Sequence, residues 1–108
     1  MRRALRCDGL LPAVIDQGKV RFGPPTLDEL HAMTAYVQAH RAETTPFDIV
    51  MEGTTPGDDR AKAADLVRPW AAAGATWWNE ALWDVARDTD WQTLVRQRLR
   101  QGPPRIDG

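Results

Sequence analysis

The sequence contains very little cysteine. Cys7 is the only cysteine among the 108 residues. A single thiol cannot form an intramolecular disulfide, which excludes a disulfide-stapled scaffold and suits a reducing compartment. No histidine lies near Cys7 in the sequence to activate it, so we expect no nucleophilic role. The cysteine content therefore predicts a cytoplasmic protein held together by an ordinary hydrophobic core.

An excess of charge of either sign is also absent. Fourteen basic side chains stand against fifteen acidic ones, and the formal net charge is -1. Such a chain has no positive surplus with which to hold a nucleic acid backbone or an anionic bilayer. No apolar run approaches the roughly 18 residues that a membrane-spanning helix needs. We therefore expect neither nucleic acid nor membrane among its partners.

The residues that are present describe an ordinary globular domain. Hydrophobic residues make up 43% of the chain and charged residues 27%, and the length corresponds to a single domain. Three short apolar segments read as strands, each closed by glycine or by a polar turn. They span residues 9–15, 47–53 and 75–80, and Pro12 weakens the first of them.

Three segments with helical spacing alternate with these strands: residues 26–41, 58–73 and 89–101. The first opens with a capping box between Thr26 and Glu29. The second begins at Asp58 or Asp59, stops at Gly74 and contains Pro69, which predicts a kink. Each helix should bury one apolar stripe: Leu27, Leu30, Met33, Thr34 and Val37; Ala63, Leu66, Val67 and Trp70; and Trp91, Leu94, Val95 and Leu99.

The resulting order is strand, helix, strand, helix, strand, helix, with a loop over residues 16–25 after the first strand. Strands joined through helices lie parallel. An eight-fold βα barrel uses about 31 residues for each unit. The predicted fold class is therefore α/β, with three βα units of parallel sheet and helices on one face, close in size to three eighths of a TIM (βα)8 barrel.

Two glutamates fall at strand ends, where the active sites of such barrels form. Alternation predicts that Phe47, Ile49 and Met51 lie under the helices, and that Glu52 faces the opposite side. The phase chosen for the last strand places Thr76, Trp78 and Glu80 on the same side as Glu52, and Trp77 under the helices. Glu52 and Glu80 are then candidate catalytic carboxylates, one of which can keep its proton. The alternative is a structural or positioning role, in which a glutamate caps a helix or pairs with Arg60 or Arg87.

The segment "EGTTPGDD" offers two further readings. Its glycines and the hydroxyls of Thr54 and Thr55 lead into a helix N-terminus, a geometry that can bind an anion. However, Asp58 and Asp59 stand where the anion would bind, which favours an ordinary turn with an aspartate cap.

Two of the five tryptophans, Trp78 and Trp83, lie near the carboxyl end of the last strand and could contact the ring of a bound cofactor or substrate, although packing is the commoner role. His31 and His40 lack ligand spacing, so we expect no metal.

Four pieces of the sequence, in this order, resemble the C-terminal part of luciferase-like flavin-dependent monooxygenases: Asp8-Gly9, "FDIVMEGTTPGDD", "AGATWWNE" and "GPPR". The resemblance covers nearly the whole chain. It implies the last three βα units of an eight-stranded barrel, an oxidoreductase or monooxygenase activity on a small-molecule substrate, and FMN or the deazaflavin coenzyme as cofactor. Thr54, Thr55, Trp78 and Trp83, at the strand ends, are the cofactor- or substrate-binding candidates.

Three units do not enclose a barrel interior. We therefore expect the 108-residue chain to be inactive alone and to associate with itself or with a complementing chain. The alternative function is a catalytically silent remnant or a partner-binding half-barrel.

Overall fold

A computed structural model describes residues 2–82, 86 and 88–106 of the chain. The elements in chain order are a 3-10 turn Ala4–Arg6, β1 Gly9–Leu10, β2 Ile15–Asp16, β3 Lys19–Val20, α1 Leu27–His40, β4 Asp48–Gly53, α2 Arg60–Ala72, β5 Trp77–Glu80 and α3 Trp91–Gln101. Over the described ranges, no helix combines the length and apolar character that a bilayer crossing requires.

The main sheet has three parallel strands in the order β1, β4, β5. Helix α1 connects β1 to β4, and α2 connects β4 to β5, because a parallel neighbour can be reached only by a long crossover. The α/β class and the parallel sheet predicted from the sequence are confirmed. The strand segments 47–53 and 75–80 contain β4 and β5.

The first predicted strand is shorter than expected. It ends at Leu10, two residues before Pro12, and Ile15 belongs instead to a small antiparallel hairpin of β2 and β3. Gln17 and Gly18 form the turn with φ of 49° and 77°, the left-handed values that a tight two-residue hairpin turn requires. The predicted loop over residues 16–25 is therefore partly a hairpin.

Helix α1 begins as its sequence predicts. The Thr26 hydroxyl accepts a hydrogen bond from the Glu29 backbone N–H at 3.2 Å, and the Glu29 carboxylate accepts one from the Thr26 N–H at 3.0 Å. These two bonds confirm the capping box and satisfy two N–H groups that have no partner within the helix. Leu30 and Val37 of the predicted stripe are buried.

Helix α2 also has the predicted ends. The Asp59 carboxylate accepts from the Lys62 N–H at 3.0 Å, and the helix continues through Pro69 to Ala72. Gly74 follows with φ +115°, a conformation that a side chain opposes. Leu66 was predicted to lie on the buried stripe, which is wrong, because its side chain is 38% exposed.

The hydrophobic core lies between β4 and the helices. Its buried members are Leu30, Ile49, Met51 and Ala73, with Leu27, Phe47, Trp70, Ala75 and Trp78 packed against them. Alternation along β4 thus has the predicted phase, since Ile49 and Met51 lie beneath the helices. We call the opposite side of the sheet, which carries Asp48, Val50 and Glu52, the open face.

Helix α3 departs from its prediction. Asp90 caps it by accepting from the Thr93 hydroxyl and N–H, which together hold the pKa of Asp90 below its usual range. The predicted stripe does not form a buried face, because Trp91, Val95 and Leu99 are 45%, 43% and 74% exposed. Polar contacts of Arg98, on another side of the helix, attach α3 to the sheet instead.

Candidate functional site

A groove of about 880 Å³ lies at the carboxyl ends of the three parallel strands. It is lined by residues 11–13 after β1, by residues 20–25 after the hairpin, by residues 50–54 of β4 and its exit, and by Ala81 after β5. In parallel α/β folds this edge of the sheet is where ligands bind, because the loops that leave the strands meet there. The groove is therefore the candidate site.

One wall of the groove comes from the hairpin, a contribution absent from the sequence-based prediction. Val20 and Phe22 are 69% and 88% exposed and place apolar surface beside the strand ends. The signal that could have indicated this wall is Gln17-Gly18 between Ile15 and Val20, a short turn flanked by β-branched residues.

Arg21 and Glu29 form an ion pair at the rim of the groove, with 2.6 Å between Nη2 and Oε1. The hydrogen bond from Arg21, followed by that from the Thr26 N–H, lowers the pKa of Glu29 from its ordinary 4.5 to about 2. Among the described residues that line the groove, Arg21 is the only cation, and its guanidinium is committed to Glu29. The groove thus offers apolar surface rather than a free positive charge.

The floor of the groove is the open face of β4. Val50 and Glu52 are half-buried there, and Asn79 donates a hydrogen bond to the Glu52 carboxylate at 3.4 Å. This contact is long, so the Glu52 carboxylate is held in place weakly. Glu52 is the acidic side chain of the groove lining that could exchange a proton with a bound molecule.

The two candidate carboxylates do not lie on one face of the sheet. In the register between β4 and β5, Glu52 pairs with Asn79, and Glu80 pairs with Gly53. Trp78 pairs with Met51 and packs on the core, whereas Trp77 pairs with Val50 and is 62% exposed. The predicted phase of the last strand is therefore wrong by one residue. Such a shift moves every side chain of a strand to the other face.

Glu80 belongs to a polar cluster on the helix side of the sheet. Its carboxylate accepts hydrogen bonds from the Thr55 N–H at 2.5 Å, the Thr55 hydroxyl at 2.8 Å and the Trp78 indole at 3.1 Å. The Arg98 guanidinium lies 3.5 Å from it and also donates to the Thr55 hydroxyl at 2.9 Å. We call Thr55, Trp78, Glu80 and Arg98 the Glu80 cluster. Its contacts are those of the structural reading, with Arg98 as the arginine beside Glu80; Arg87, one of the two predicted partners, lies outside the described residues.

The other candidates are distributed between the groove and the Glu80 cluster. Thr54 lines the groove, and its hydroxyl donates to the Ala81 carbonyl at 2.5 Å, which joins the exits of β4 and β5. Thr55 is 4% exposed and is engaged by Glu80. The Trp78 indole lies on the face opposite the groove floor, so its prediction as a groove-facing ring is corrected. Trp83 lies outside the described residues.

The segment after β4 behaves as a turn with an aspartate cap. The Asp59 carboxylate accepts a hydrogen bond from the Lys62 N–H in the first turn of α2, where an anion would otherwise bind.

The two histidines, His31 and His40, are exposed on α1, and the His40 ring stacks on Tyr36 with centroids 4.2 Å apart. In the part of the chain that the structure describes, no three His, Cys, Asp or Glu side chains converge on a possible metal position.

Comparison of the chain with protein-family models, with curated proteins and with solved structures found no match. The resemblance to luciferase-like enzymes therefore depends on the sequence motifs alone and stays a prediction.

Proposed function

We propose that this chain is the C-terminal part of a luciferase-like flavin- or deazaflavin-dependent oxidoreductase, and that the groove receives the cofactor ring. The observation that carries the proposal is the position of the groove, at the carboxyl ends of consecutive parallel strands. Barrel enzymes form their active sites at this edge. The volume of about 880 Å³ falls within the range of pockets that hold a small molecule or cofactor.

The residues of the groove fit the ring of such a cofactor better than its phosphate. Leu11, Phe22 and Val50 supply apolar surface of the kind that a flat ring buries. Arg21 is paired with Glu29, and Asp59 caps α2, so neither provides an available phosphate site. When bound, the cofactor would supply hydride or oxygen chemistry. The chain itself would bury one side of the ring and hold a proton acceptor, Glu52, at the floor.

The proposal includes weak binding by the isolated chain. A ring in this groove contacts three strand ends, and one side of the groove faces solvent. Affinity depends on the surface that is buried and on polar groups placed to receive the ligand. We therefore expect the chain to be inactive alone and to need a covering partner for tight binding.

The test is a titration of the chain with FMN and separately with the deazaflavin coenzyme, followed by cofactor fluorescence and by calorimetry. Ala13→Trp fills the groove with an indole and should abolish saturable binding. Ala39→Trp adds the same fluorophore on an exposed position of α1 outside the groove and should leave binding unchanged. Equal binding by both variants, or no saturation at any concentration, contradicts the proposal.

A second candidate function is a partner-binding module without catalysis. The observation that favours it is the apolar surface left exposed on the groove side, where Leu11, Val20 and Phe22 are 57%, 69% and 88% exposed. Apolar patches of this kind mark interaction sites in soluble proteins. Failure of both cofactors to bind, together with association of the chain, would favour this function over the oxidoreductase.

A further inference from the structure

Helix α3 carries an apolar stripe that faces solvent. Trp91, Val95 and Leu99 follow one another at intervals of four residues and are 45%, 43% and 74% exposed. Residues at this spacing lie on one side of a helix. The side that contacts the rest of the protein is a different one, where Leu94 and Arg98 are half-buried. We call Trp91, Val95 and Leu99 the α3 stripe.

The helix that carries this stripe is basic. Arg96, Arg98 and Arg100 lie within Trp91–Gln101, and the same eleven residues include no aspartate or glutamate. Arg98 is engaged by Glu80, whereas Arg96 and Arg100 are exposed. Successive residues of a helix are about 100° apart, so Arg96 and Arg100 lie roughly a quarter turn beyond Val95 and Leu99, on the side away from the contact with Glu80. A surface that covers this helix should be apolar with negative charge beside it.

The open face of the sheet has the complementary character. Trp77 is 62% exposed there, beside the half-buried Val50. The charged side chains that β4 and β5 place on this face are Asp48 and Glu52, both negative. Parallel sheets normally have helices packed on both faces, and the helices described here pack on one.

We infer that the α3 stripe of one molecule docks on the open face of a second copy, with Arg96 and Arg100 beside Asp48 and Glu52. The dimensions agree. The eight residue steps of helix from Trp91 to Leu99 extend about 12 Å, and the four residue steps of strand from Asp48 to Glu52 extend about 13 Å. The inference does not rest on the proposed function, since it requires no cofactor. Val50 and Glu52 belong both to the open face and to the floor of the groove, so a docked copy and a cofactor ring exclude each other at this surface.

The competing arrangement, in which two α3 stripes pack on each other, is disfavoured by charge. It would bring the arginines of two basic helices together, and facing like charges are destabilising. Docking of α3 on the open face instead joins opposite charges. This contact pairs two different surfaces, so it leaves one α3 stripe uncovered at one end of an assembly and one open face uncovered at the other. Association should therefore extend beyond dimers as the concentration rises.

Two variants block the two surfaces separately, each by placing a charge that the partner surface repels. Leu99→Glu puts a negative charge on the α3 stripe, and Trp77→Arg puts a positive charge on the open face. Sedimentation without added ligand should show association of the unmodified chain, weakened by 0.5 M salt, since surface charges are then screened. Each variant alone should associate at least about tenfold more weakly. Gln97→Glu, an exposed site on α3 outside the stripe, adds the same charge as a control and should behave as the unmodified chain.

Mixing the two variants provides the decisive measurement. Leu99→Glu retains an intact open face and Trp77→Arg retains an intact α3 stripe, so the mixture should recover the association that each variant loses alone. A mixture that stays monomeric overturns the inference, as does a monomeric unmodified chain or association that both single variants preserve. Circular dichroism checks the fold of each variant. Val95→Glu and Asn79→Arg are the replacements on the same two surfaces if either fails to fold.

Discussion

At the scale of single residues, Glu29 links two parts of the chain that sequence alone would not connect. One carboxylate oxygen accepts from the Thr26 N–H at the start of α1 and from the Arg21 guanidinium beyond the hairpin. The capping box orients the carboxylate, and Arg21 then closes the segment between β3 and α1 against the helix. Residues 20–25, which form one wall of the groove, lie within or beside this segment.

These contacts predict a pH dependence at the acidic end. Because the folded pKa of Glu29 is about 2 against 4.5 in the unfolded chain, its stabilising contribution is complete above pH 4.5. It is lost as the pH falls from 4.5 towards 2. Urea unfolding of the unmodified chain and of Glu29→Gln between pH 2 and 7 should show two curves that converge on acidification. A difference in unfolding free energy that stays constant over this range contradicts the assignment.

Gly53 is a position where the absence of a side chain is needed for packing. A Cβ atom placed there would lie 2.6 Å and 2.7 Å from Cζ2 and Cη2 of Trp78. The indole is fixed on the other side by its hydrogen bond to Glu80 and by the core. The Trp78 ring therefore occupies the space above Gly53.

We predict that Gly53→Ala destabilises the chain by about 1–3 kcal/mol, a typical effect of overpacking, and changes the fluorescence of Trp78 as the ring moves. Adding Trp78→Phe removes the atoms that clash, so the double variant should lose less stability than the sum of the two single variants. Chemical denaturation of all four proteins measures this coupling. Additive losses would show that the clash is not responsible.

At the scale of elements, α3 is attached by a polar contact rather than by its apolar side. Arg98 donates to the Thr55 hydroxyl and to the Gly102 carbonyl, and it lies against Glu80. The side chains of Arg98 and Glu80 are only 15% and 19% exposed. Removing either one therefore leaves the other as a charge without a partner in a position that water reaches poorly, which is destabilising.

Arg98→Met should therefore loosen α3 and lower the free energy of unfolding by about 1–3 kcal/mol, the range for hydrogen bonds to a charged group. Arg96→Met, an exposed arginine on the same helix, is the control and should change it by less than about 0.5 kcal/mol. Hydrogen exchange resolves the effect by element, because the amides of α3 should lose protection first. Equal behaviour of the two variants would mean that the Glu80 cluster does not hold the helix.

At the scale of the whole molecule, stability depends on a small core with few large side chains. Trp70 packs on this core from α2, whereas Trp91 lies on the exposed α3 stripe. Trp70→Ala should therefore lower the free energy of unfolding by about 3 kcal/mol, a large share of what a domain of this size has. Trp91→Ala should change it by less than about 1 kcal/mol and should affect association instead. Denaturant titrations at low protein concentration measure both changes. Similar losses of unfolding free energy for the two variants would contradict the assignment of these two tryptophans.

Local features of this protein could be predicted from the amino-acid sequence alone. Thr26 with Glu29, and Asp59 with Lys62, interact over three residues, so the helix starts follow from adjacent sequence. Ile49 and Met51 alternate with polar neighbours in one strand, and this alternation assigned the faces of β4 correctly. The parallel order followed from the alternation of strands and helices, because a helix between two strands of one sheet returns the chain to the end at which the first strand began. The strand ends as the place of a site followed from the same reasoning.

Features that depend on residues far apart in the chain could be seen only in the folded structure. In β5 two adjacent tryptophans suit either face, and the register with β4, some 27 residues earlier, turned Trp78 and Glu80 to the core. The α3 stripe has an ordinary amphipathic pattern, yet Arg98 docks the helix through another side. The groove wall likewise required the hairpin to fold back beside the strand ends. A pattern states that a residue can be buried, whereas its partners across the fold determine where it is buried.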